Sequence, residues 1–294
     1  MPSSHDQNFK NLVLDYPREA RALFAPEQAA CLDDGVVFTP LREEQLKDRL
    51  SDRFLELDIP LLLECPDGRR EALLFVVEQH TDPARFSVHK LGRYCLSLAE
   101  LLKTDRVVPV VVFLRQARKV PAQIILGNEI RDYITVNYIR CVLPELEGQQ
   151  YVNSNNLVAR LNLLNMRWPP ELKLAMYASA IRGLASLEKH PDRRVKYFAF
   201  IDIYAELTNN ERTLFEQYYQ EEGRVMAGFA ERYESIGLEK GIRRGMEQGM
   251  EEGSLRARRE TAGNLMRMTA LDDTAIAAAT GLPLDEVQRL RRDS

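Results

Sequence analysis

The sequence lacks the features that mark membrane-spanning, secreted and cysteine-based metal-binding proteins. Its four cysteines lie far apart and form no Cys-x-x-Cys pair, which excludes the usual cysteine zinc sites. The longest apolar runs, LLLEC and VVPVVVFL, are far too short to cross a bilayer. The first ten residues, MPSSHDQNFK, contain no apolar stretch of the kind that secretory signals need. We therefore expect a cytoplasmic protein with reduced thiols and no membrane contact.

An excess of one charge sign is also missing. The chain has 40 Lys and Arg residues against 44 Asp and Glu residues, which leaves a net charge of −4. A protein that binds nucleic acid with much of its surface carries a clear basic excess. Any contact with nucleic acid must therefore come from a local patch. The length of 294 residues allows one large domain or two small ones with a hydrophobic core.

The first part of the chain combines helical and strand patterns. Two helices are predicted in residues 1–30, interrupted at Pro17, and PLREEQLKDRLSDRF predicts a further polar helix. The apolar segments FLELDIPLLLEC and REALLFVVEQH then flank Pro-Asp-Gly at 66–68. Proline presets a type I turn and glycine takes the left-handed position after it. We therefore predict a β-hairpin in which Cys65 pairs with Arg69.

A helix and a strand are predicted after the hairpin. Residues 83–103 have the spacing of an amphipathic helix, and residues 107–114 form a short apolar strand of the kind buried inside a sheet. Pro109 should lie at the start of that strand, because proline cannot donate to a sheet ladder. Residues 122–143 predict one or two further strands. This order of elements indicates an α/β fold.

The second half of the chain is helical in pattern. We expect three parts, namely a core in residues 1–140, a mostly helical extension in residues 141–235 and a helical tail in residues 236–294. The tail contains GLEKGIRRGMEQGMEEG, in which glycine recurs at every fourth position. It ends in TAIAAATGLPLDEVQRLRR, which has the outline of a helix-turn-helix motif.

The tail has two interpretations. On a helix, its glycines form a stripe beside a column of larger apolar residues, which are Leu238, Ile242, Met246 and Met250. Such a stripe either packs closely against another helix, for example in a homo-oligomer, or is a tolerated linker. The terminal helix pair, whose end is basic, either contacts DNA or is a packing appendage.

The apolar strand LLFVV ends in three polar residues, of which the first is Glu78. Because side chains alternate along a strand, the predicted hairpin places Glu56, Asp58, Glu78 and His80 on one face. Neighbouring carboxylates repel each other unless a proton or a cation lies between them. Sites made of oxygen ligands suit Mg²⁺, which can activate a phosphodiester for hydrolysis. These residues are therefore either a Mg²⁺ site or the fringe of a solvated sheet edge.

Two segments carry a resemblance to a known group of proteins. HDQNFKNLVLDYPREA and RFLELDIPLLLECPDGRREALLFVVEQHTDPARFSVHKLGRYCLSLAELLKTDRVVPVVVFL resemble the Rpn-type recombination-promoting nucleases, transposase-like members of the PD-(D/E)XK nuclease superfamily. The resemblance covers roughly residues 5–140 and implies a mixed sheet flanked by helices. It also implies that Asp58 and Glu78 hold a metal ion, and that His80 occupies the place usually held by Lys or Gln. Glu19 lies where some members have an additional acidic ligand.

The activity that this resemblance implies is Mg²⁺-dependent cleavage of DNA by an endonuclease. Lys90 and Arg93, on the polar side of the following helix, either contact DNA phosphates or merely solvate that helix. His80 would position the attacking water or stabilise the developing charge. A neutral imidazole supplies less positive charge than Lys. The alternative is a catalytically weak or inactive nuclease-fold protein that acts as an oligomeric interaction or DNA-binding module.

Substitution of His80 distinguishes these alternatives. If His80 stands in for Lys, His80→Lys should retain or raise plasmid cleavage, and His80→Ala should lower its rate by about 10²–10⁴-fold, as loss of a positioned acid or base does. Cleavage by the wild type should change between about pH 6 and 7, where an imidazole titrates. A wild-type rate in His80→Ala would make His80 a bystander and would direct attention to Gln79.

Overall fold

The computed structural model describes residues 4–29, 35–41, 58–78 and 86–292. The chain divides into two compact units, Met1–Phe229 (unit 1) and Ala230–Ser294 (unit 2). The polar helix predicted from PLREEQLKDRLSDRF lies outside the described residues except at its first two positions, of which Pro40 is in a strand. No helix among the described residues is long and apolar enough to cross a membrane.

Unit 1 combines a sheet with helices that precede, interrupt and follow it. Its strands are β1 (Val37–Pro40), β2 (Asp58–Glu64), β3 (Arg70–Glu78), β4 (Val107–Phe113), β5 (Gln123–Gly127), β6 (Asp132–Asn137) and β7 (Ile139–Val142). Its helices are α1 (Ser4–Asp15), α2 (Pro17–Phe24), α3 (Pro26–Ala29), α4 (Val88–Leu102), α5 (Leu157–Leu161), α6 (Lys173–Leu187), α7 (Pro191–Ala205), α8 (Asn209–Tyr218) and the first part of α9 (Gln220–Met268).

The main sheet is mixed and has the strand order β1-β2-β3-β4-β7. β1, β2 and β3 form antiparallel pairs, whereas β4 runs parallel to both β3 and β7. The chain crosses from β3 to β4 through α4, as a parallel connection requires. The predicted α/β fold is therefore confirmed at the level of a mixed sheet with many helices. β5 and β6 form a separate two-stranded sheet.

The predicted hairpin is confirmed in its turn and in its register. The Cys65 N–H donates to the Arg69 carbonyl at 2.9 Å, and the Gly68 N–H donates to the Cys65 carbonyl at 2.9 Å. Gly68 has a φ of +83°, the left-handed conformation expected of the glycine in this turn. From this turn the pairing runs without interruption to Asp58, which lies opposite Val76.

Hydrophobic cores cover both faces of β3. Leu73, Phe75 and Val77 belong to the larger core, which includes residues of α1, α2 and the later helices α5, α6 and α7. Leu74 and Val76, on the other face, belong to a smaller core with the buried side of α4. This two-sided burial explains why the strand reads as a continuous apolar run rather than an alternating one.

Helix α4 and strand β4 differ in detail from their predictions. The helix begins at Val88, not at residue 83, because Ser87 caps it and accepts a hydrogen bond from the Lys90 N–H at 3.3 Å. Pro109 is the third residue of β4 and lies opposite Leu74. Pairing of β4 with β7 begins only at Val110, so the proline precedes the part of the strand that is paired on both sides.

Residues 122–143 form three strands where the sequence predicts one or two. β5 and β6 pair antiparallel around a turn in which the side chain of Asn128 accepts hydrogen bonds from the Ile130 and Arg131 N–H groups. The chain then leaves this ribbon at Tyr138 and joins the main sheet as β7. The break at a single residue is the feature that the apolar pattern did not reveal.

Unit 2 contains the rest of α9 together with α10 (Asp273–Thr280) and α11 (Leu284–Arg292). Its small core consists of Ala262, Ile276, Leu282 and Val287. Gly281 has a φ of +66° and ends α10, which confirms the predicted helix–glycine turn–helix outline. Arg291 forms a salt bridge with Asp273 at 2.5 Å, so part of the basic end is neutralised within the unit.

The left-handed conformation of Gly68 generates a stability prediction. Gly68→Ala should lower the free energy of unfolding by about 1 kcal/mol or more, because a Cβ is strained at positive φ. Gly228→Ala is the matched control, since Gly228 lies in α9 with open space around its Cα, and it should gain about 0.5–1 kcal/mol. Urea unfolding followed by the fluorescence of Trp168, the single tryptophan, measures both effects. Equal changes in the two variants would contradict the turn assignment.

Candidate active site

The end of the β2–β3 hairpin opposite the turn carries the two predicted metal-binding residues. Asp58 is the first residue of β2 and Glu78 is the last residue of β3. Asp58 pairs with Val76, two positions before Glu78. Because strand positions alternate between faces, positions 58, 76 and 78 belong to the same face of the sheet. The observed register of β2 and β3 is thus the one that the predicted pair of carboxylates, Asp58 and Glu78, requires.

Glu78 lies where the apolar part of β3 ends. It pairs with Phe113 of the parallel strand β4, and its carbonyl accepts a hydrogen bond from the Leu114 N–H at 3.0 Å. Its side chain is half-buried, whereas Val76 and Val77 before it are buried. The backbone of Glu78 is therefore held by β4, so that its carboxylate has a defined starting point at the end of β3.

Several residues of the predicted site lie outside the described part of the chain. His80 and Gln79 belong to residues 79–85, and Glu56 belongs to residues 42–57. The side chain of Asp58 is likewise not described, although its backbone is. The roles of Asp58 and His80 therefore remain predictions from the sequence.

Helix α4 begins near the end of β3, because Phe86, two residues before the helix, packs against Phe113, the residue that pairs with Glu78. Lys90 lies in its first turn, with its Nζ 5.5 Å from the ring centroid of Tyr94, and it is half-buried. Arg93 lies one turn further along and is exposed. Both predicted phosphate contacts are thus on a helix that starts near the end of β3. The Lys90 ammonium also interacts with the Tyr94 ring of the same helix.

Glu19 lies in the first turn of α2. This helix packs on the larger core, where Phe24 contacts Phe75 with ring centroids 6.1 Å apart. The position of Glu78, by contrast, belongs to the face covered by α4. The backbone carbonyl of Glu19 accepts a hydrogen bond from the side chain of Asn156 at 2.8 Å, which fastens α2 to the start of α5. Glu19 and Glu78 are thus carried on different faces of the sheet.

Metal and cysteine chemistry can be assessed for the described side chains. Among them, no group of three His, Cys, Asp or Glu residues could hold a metal ion. Burial raises the pKa of the Cys95 thiol to about 11 and that of the Cys141 thiol to about 12. Both thiols are therefore protonated at neutral pH, and neither is an activated nucleophile.

A cleft of about 490 Å³ lies elsewhere in unit 1, between α2–α3 and the edge strand β7. Its polar side chains include Arg140 and Glu145, which form a salt bridge at 3.3 Å. Much of the remaining lining is aromatic, as at Phe24 and Tyr151, or aliphatic, as at Leu23. No predicted site residue lines this cleft. Its charged side chains are Glu27, Arg140 and Glu145, and the last two neutralise each other.

A polar cluster that the sequence did not predict joins the amino-terminal helices to the later ones. The carboxylate of Asp15 accepts hydrogen bonds from the Lys196 ammonium at 2.7 Å and from the Tyr197 hydroxyl at 2.5 Å. Tyr16 donates to Glu188, which is almost fully buried. Each of these polar groups has a partner within the cluster. The cluster therefore fastens helices together, and its partners are too distant in sequence for a local motif to reveal them.

The comparisons with known proteins add no assignment. No protein-family model matches the chain, and no curated protein or solved structure matches it. Function must therefore be argued from the residues themselves.

The Asp15 cluster predicts a pH-dependent contribution to stability. Burial alone would raise the pKa of Asp15, but hydrogen bonds from Lys196 and Tyr197 outweigh it and lower the pKa below 3.8. A carboxyl group whose pKa is lowered in the folded state stabilises the fold at pH values above its ordinary pKa. This stabilisation is lost as the pH falls through the folded-state pKa. Asp15→Asn should therefore lower the melting temperature by roughly 2–8 °C at pH 7, and this difference should shrink at acidic pH.

The exposed Asp105→Asn is the matched control, and it should leave the melting temperature nearly unchanged at each pH. Thermal unfolding of the wild type and both variants, measured from neutral pH to below pH 3.8, makes the comparison. If Asp15→Asn lowers the melting temperature by the same amount at every pH, the shape of the Asp15 side chain, and not its charge, accounts for the stabilisation.

Proposed function

We propose that the chain is a Mg²⁺-dependent DNA endonuclease whose PD-(D/E)XK-like core lies in residues 1–140. One observation carries the proposal, namely the hairpin register that pairs Asp58 with Val76, two positions before Glu78. This register brings two acidic positions to one end and one face of adjacent strands. That arrangement is the one the resemblance to Rpn-type nucleases requires.

The order of elements after the hairpin supports the proposal. The resemblance implies an aspartate, a hairpin, a glutamate, a helix and a strand in succession. The chain has Asp58, the turn at 66–68, Glu78, α4 and the parallel strand β4 in this order. The mixed sheet also has helical layers on both faces, as that core type requires.

The chemistry of the residues suits Mg²⁺. Asp58 and Glu78 would hold the ion through carboxylate oxygens, whereas Glu19, which is carried on the other face of the sheet, is left out of this set. The bound ion would polarise the phosphodiester and lower the pKa of the attacking water. His80, two residues beyond Glu78, would orient that water or stabilise the developing charge. Lys90 and Arg93 would contact the DNA backbone from α4.

The test is plasmid cleavage with Mg²⁺ and with a chelator. Asp58→Ala and Glu78→Ala should each lower the cleavage rate by at least about 10²-fold, because each removes a ligand or a transition-state contact. Without metal, the melting temperature should stay the same or rise, since removing one of two repelling carboxylates relieves strain. Mg²⁺ should raise the melting temperature of the wild type but not of these two variants, because a ligand stabilises the state that binds it.

Glu64→Ala is the matched control. Glu64 is an exposed carboxylate at the other end of β2, where it pairs with Arg70 at 3.6 Å. The control should keep both the cleavage rate and the thermal response to Mg²⁺. Full cleavage in Asp58→Ala or Glu78→Ala, or cleavage that the chelator does not affect, would reject the assigned site.

A second candidate function is that of an oligomeric interaction or DNA-binding module without cleavage. It is favoured by α9, on which Leu238, Ile242, Met246 and Met250 are exposed. A soluble surface rarely carries such a series of large apolar side chains without a partner. A wild type that neither cleaves DNA nor responds to Mg²⁺, yet self-associates, would support this function over the nuclease.

A further inference from the structure

Helix α9 carries a column of large apolar side chains that face solvent. Leu238, Ile242, Met246 and Met250 lie four residues apart and are 55–69% exposed. Every described residue from 241 to 254 is exposed, so no other described part of unit 2 covers this segment. The column is therefore an unpartnered face of a helix inside unit 2.

A column of glycines runs beside the apolar one. A Cβ added at Gly241, Gly245, Gly249 or Gly253 would meet no other atom within 4 Å. The glycines are thus not required by any contact among the described residues of unit 2, although glycine weakens a helix. Their absent side chains leave the backbone open to a close neighbour, which is how small residues act between helices that pack tightly.

The charges along the same segment change sign at its middle. Arg243 and Arg244 precede the midpoint, and Glu251 and Glu252 follow it. None of the four forms a salt bridge with another described residue. The four-residue repeat puts Arg243, Glu247 and Glu251 in the column next to the apolar one, whereas Arg244 and Glu252 lie on the side of the helix opposite the apolar column.

We propose that the occupant of this face is the same segment of a second copy, packed antiparallel. A two-fold axis perpendicular to both helices places identical columns on the same side of the interface. Arg243 of one copy then borders Glu251 of the other on each side of the axis, and Glu247 is the only one of these charges that lies near its own counterpart. A parallel pair in register would instead bring like charges together, which is unfavourable. The charge order therefore selects the antiparallel arrangement, with the axis near Glu247 and Gln248.

The spacing of the columns also sets how the two helices meet. Rows of side chains four residues apart pack against each other when helices cross at about −50°. At such an angle the contact is centred on the crossing point, where Met246 of one copy meets Met250 of the other. The glycine columns face each other on one side of that point and allow the backbones to approach. This pairing deepens the interaction-module function and does not depend on DNA cleavage.

The first experiment removes the apolar column. Sedimentation equilibrium of the full chain should give twice the mass of 33.8 kDa. Ile242→Glu with Met246→Glu should weaken the dimer at least about tenfold, because each copy then buries a charge at the crossing point. Met268→Glu, an 82% exposed methionine of the same helix outside the column, is the control and should leave the dimer intact. A full chain that is monomeric at every measurable concentration overturns the proposal.

The second experiment tests the orientation. Arg243→Glu should weaken the dimer about tenfold or more, because positions 243, 247 and 251 of each copy are then all acidic. Adding Glu251→Arg to that variant should restore the dimer, since the reversed order is again complementary in the antiparallel arrangement. In a parallel pair, like charges face each other in all three proteins. Equal association of the three would therefore overturn the antiparallel assignment, and plasmid cleavage measured alongside reports separately on the nuclease proposal.

Discussion

The register between β2 and β3 is the constraint on which unit 1 depends. The turn that ends with Gly68 at a φ of +83° fixes which residues face each other, because a glycine in this conformation closes a three-residue loop. A shift by one residue would move Phe75 and its neighbours from one core to the other. Since helices pack on both faces, neither face could accept such an exchange.

This two-sided burial also determines the surroundings of Glu78 at the end of β3. Val77 is almost fully buried, and Glu78 follows it directly at the edge of the sheet. A carboxylate in such a position has fewer waters around it than one on an open surface, and its electrostatic interactions are correspondingly stronger. The parallel strand β4 holds its backbone through Phe113 and Leu114. A rigid attachment of this kind suits a group that must hold a ligand in a fixed geometry.

Local features of the sequence predicted local structure well. The turn chemistry at residues 66–68 led to the register, and Gly281 marked the turn between the last two helices. The features that depended on distant partners were missed. Asp15 and Lys196 are 181 residues apart, so no motif could announce their hydrogen bond. The separate β5–β6 ribbon was missed because its apolar pattern resembles that of the main sheet.

The candidate site was predictable only in its backbone frame. Alternation and pairing indicated that positions 58 and 78 share a face, and these rules follow from strand geometry alone. The role of His80 could not be obtained in the same way. An imidazole acts through its protonation state and its neighbours, and these depend on tertiary surroundings that no local pattern encodes.

The larger core has a consequence for how this chain can change during evolution. Phe75 of β3 and Tyr177 of α6 belong to one continuous core, which also includes Phe200 of α7. The sheet and the later helices must therefore vary together, since a volume change on one side needs compensation on the other. Gene fusion or domain exchange within residues 141–229 would expose one half of this shared interior. The neighbourhood of Phe229 and Ala230, where the two compact units divide, is the place at which recombination would preserve it.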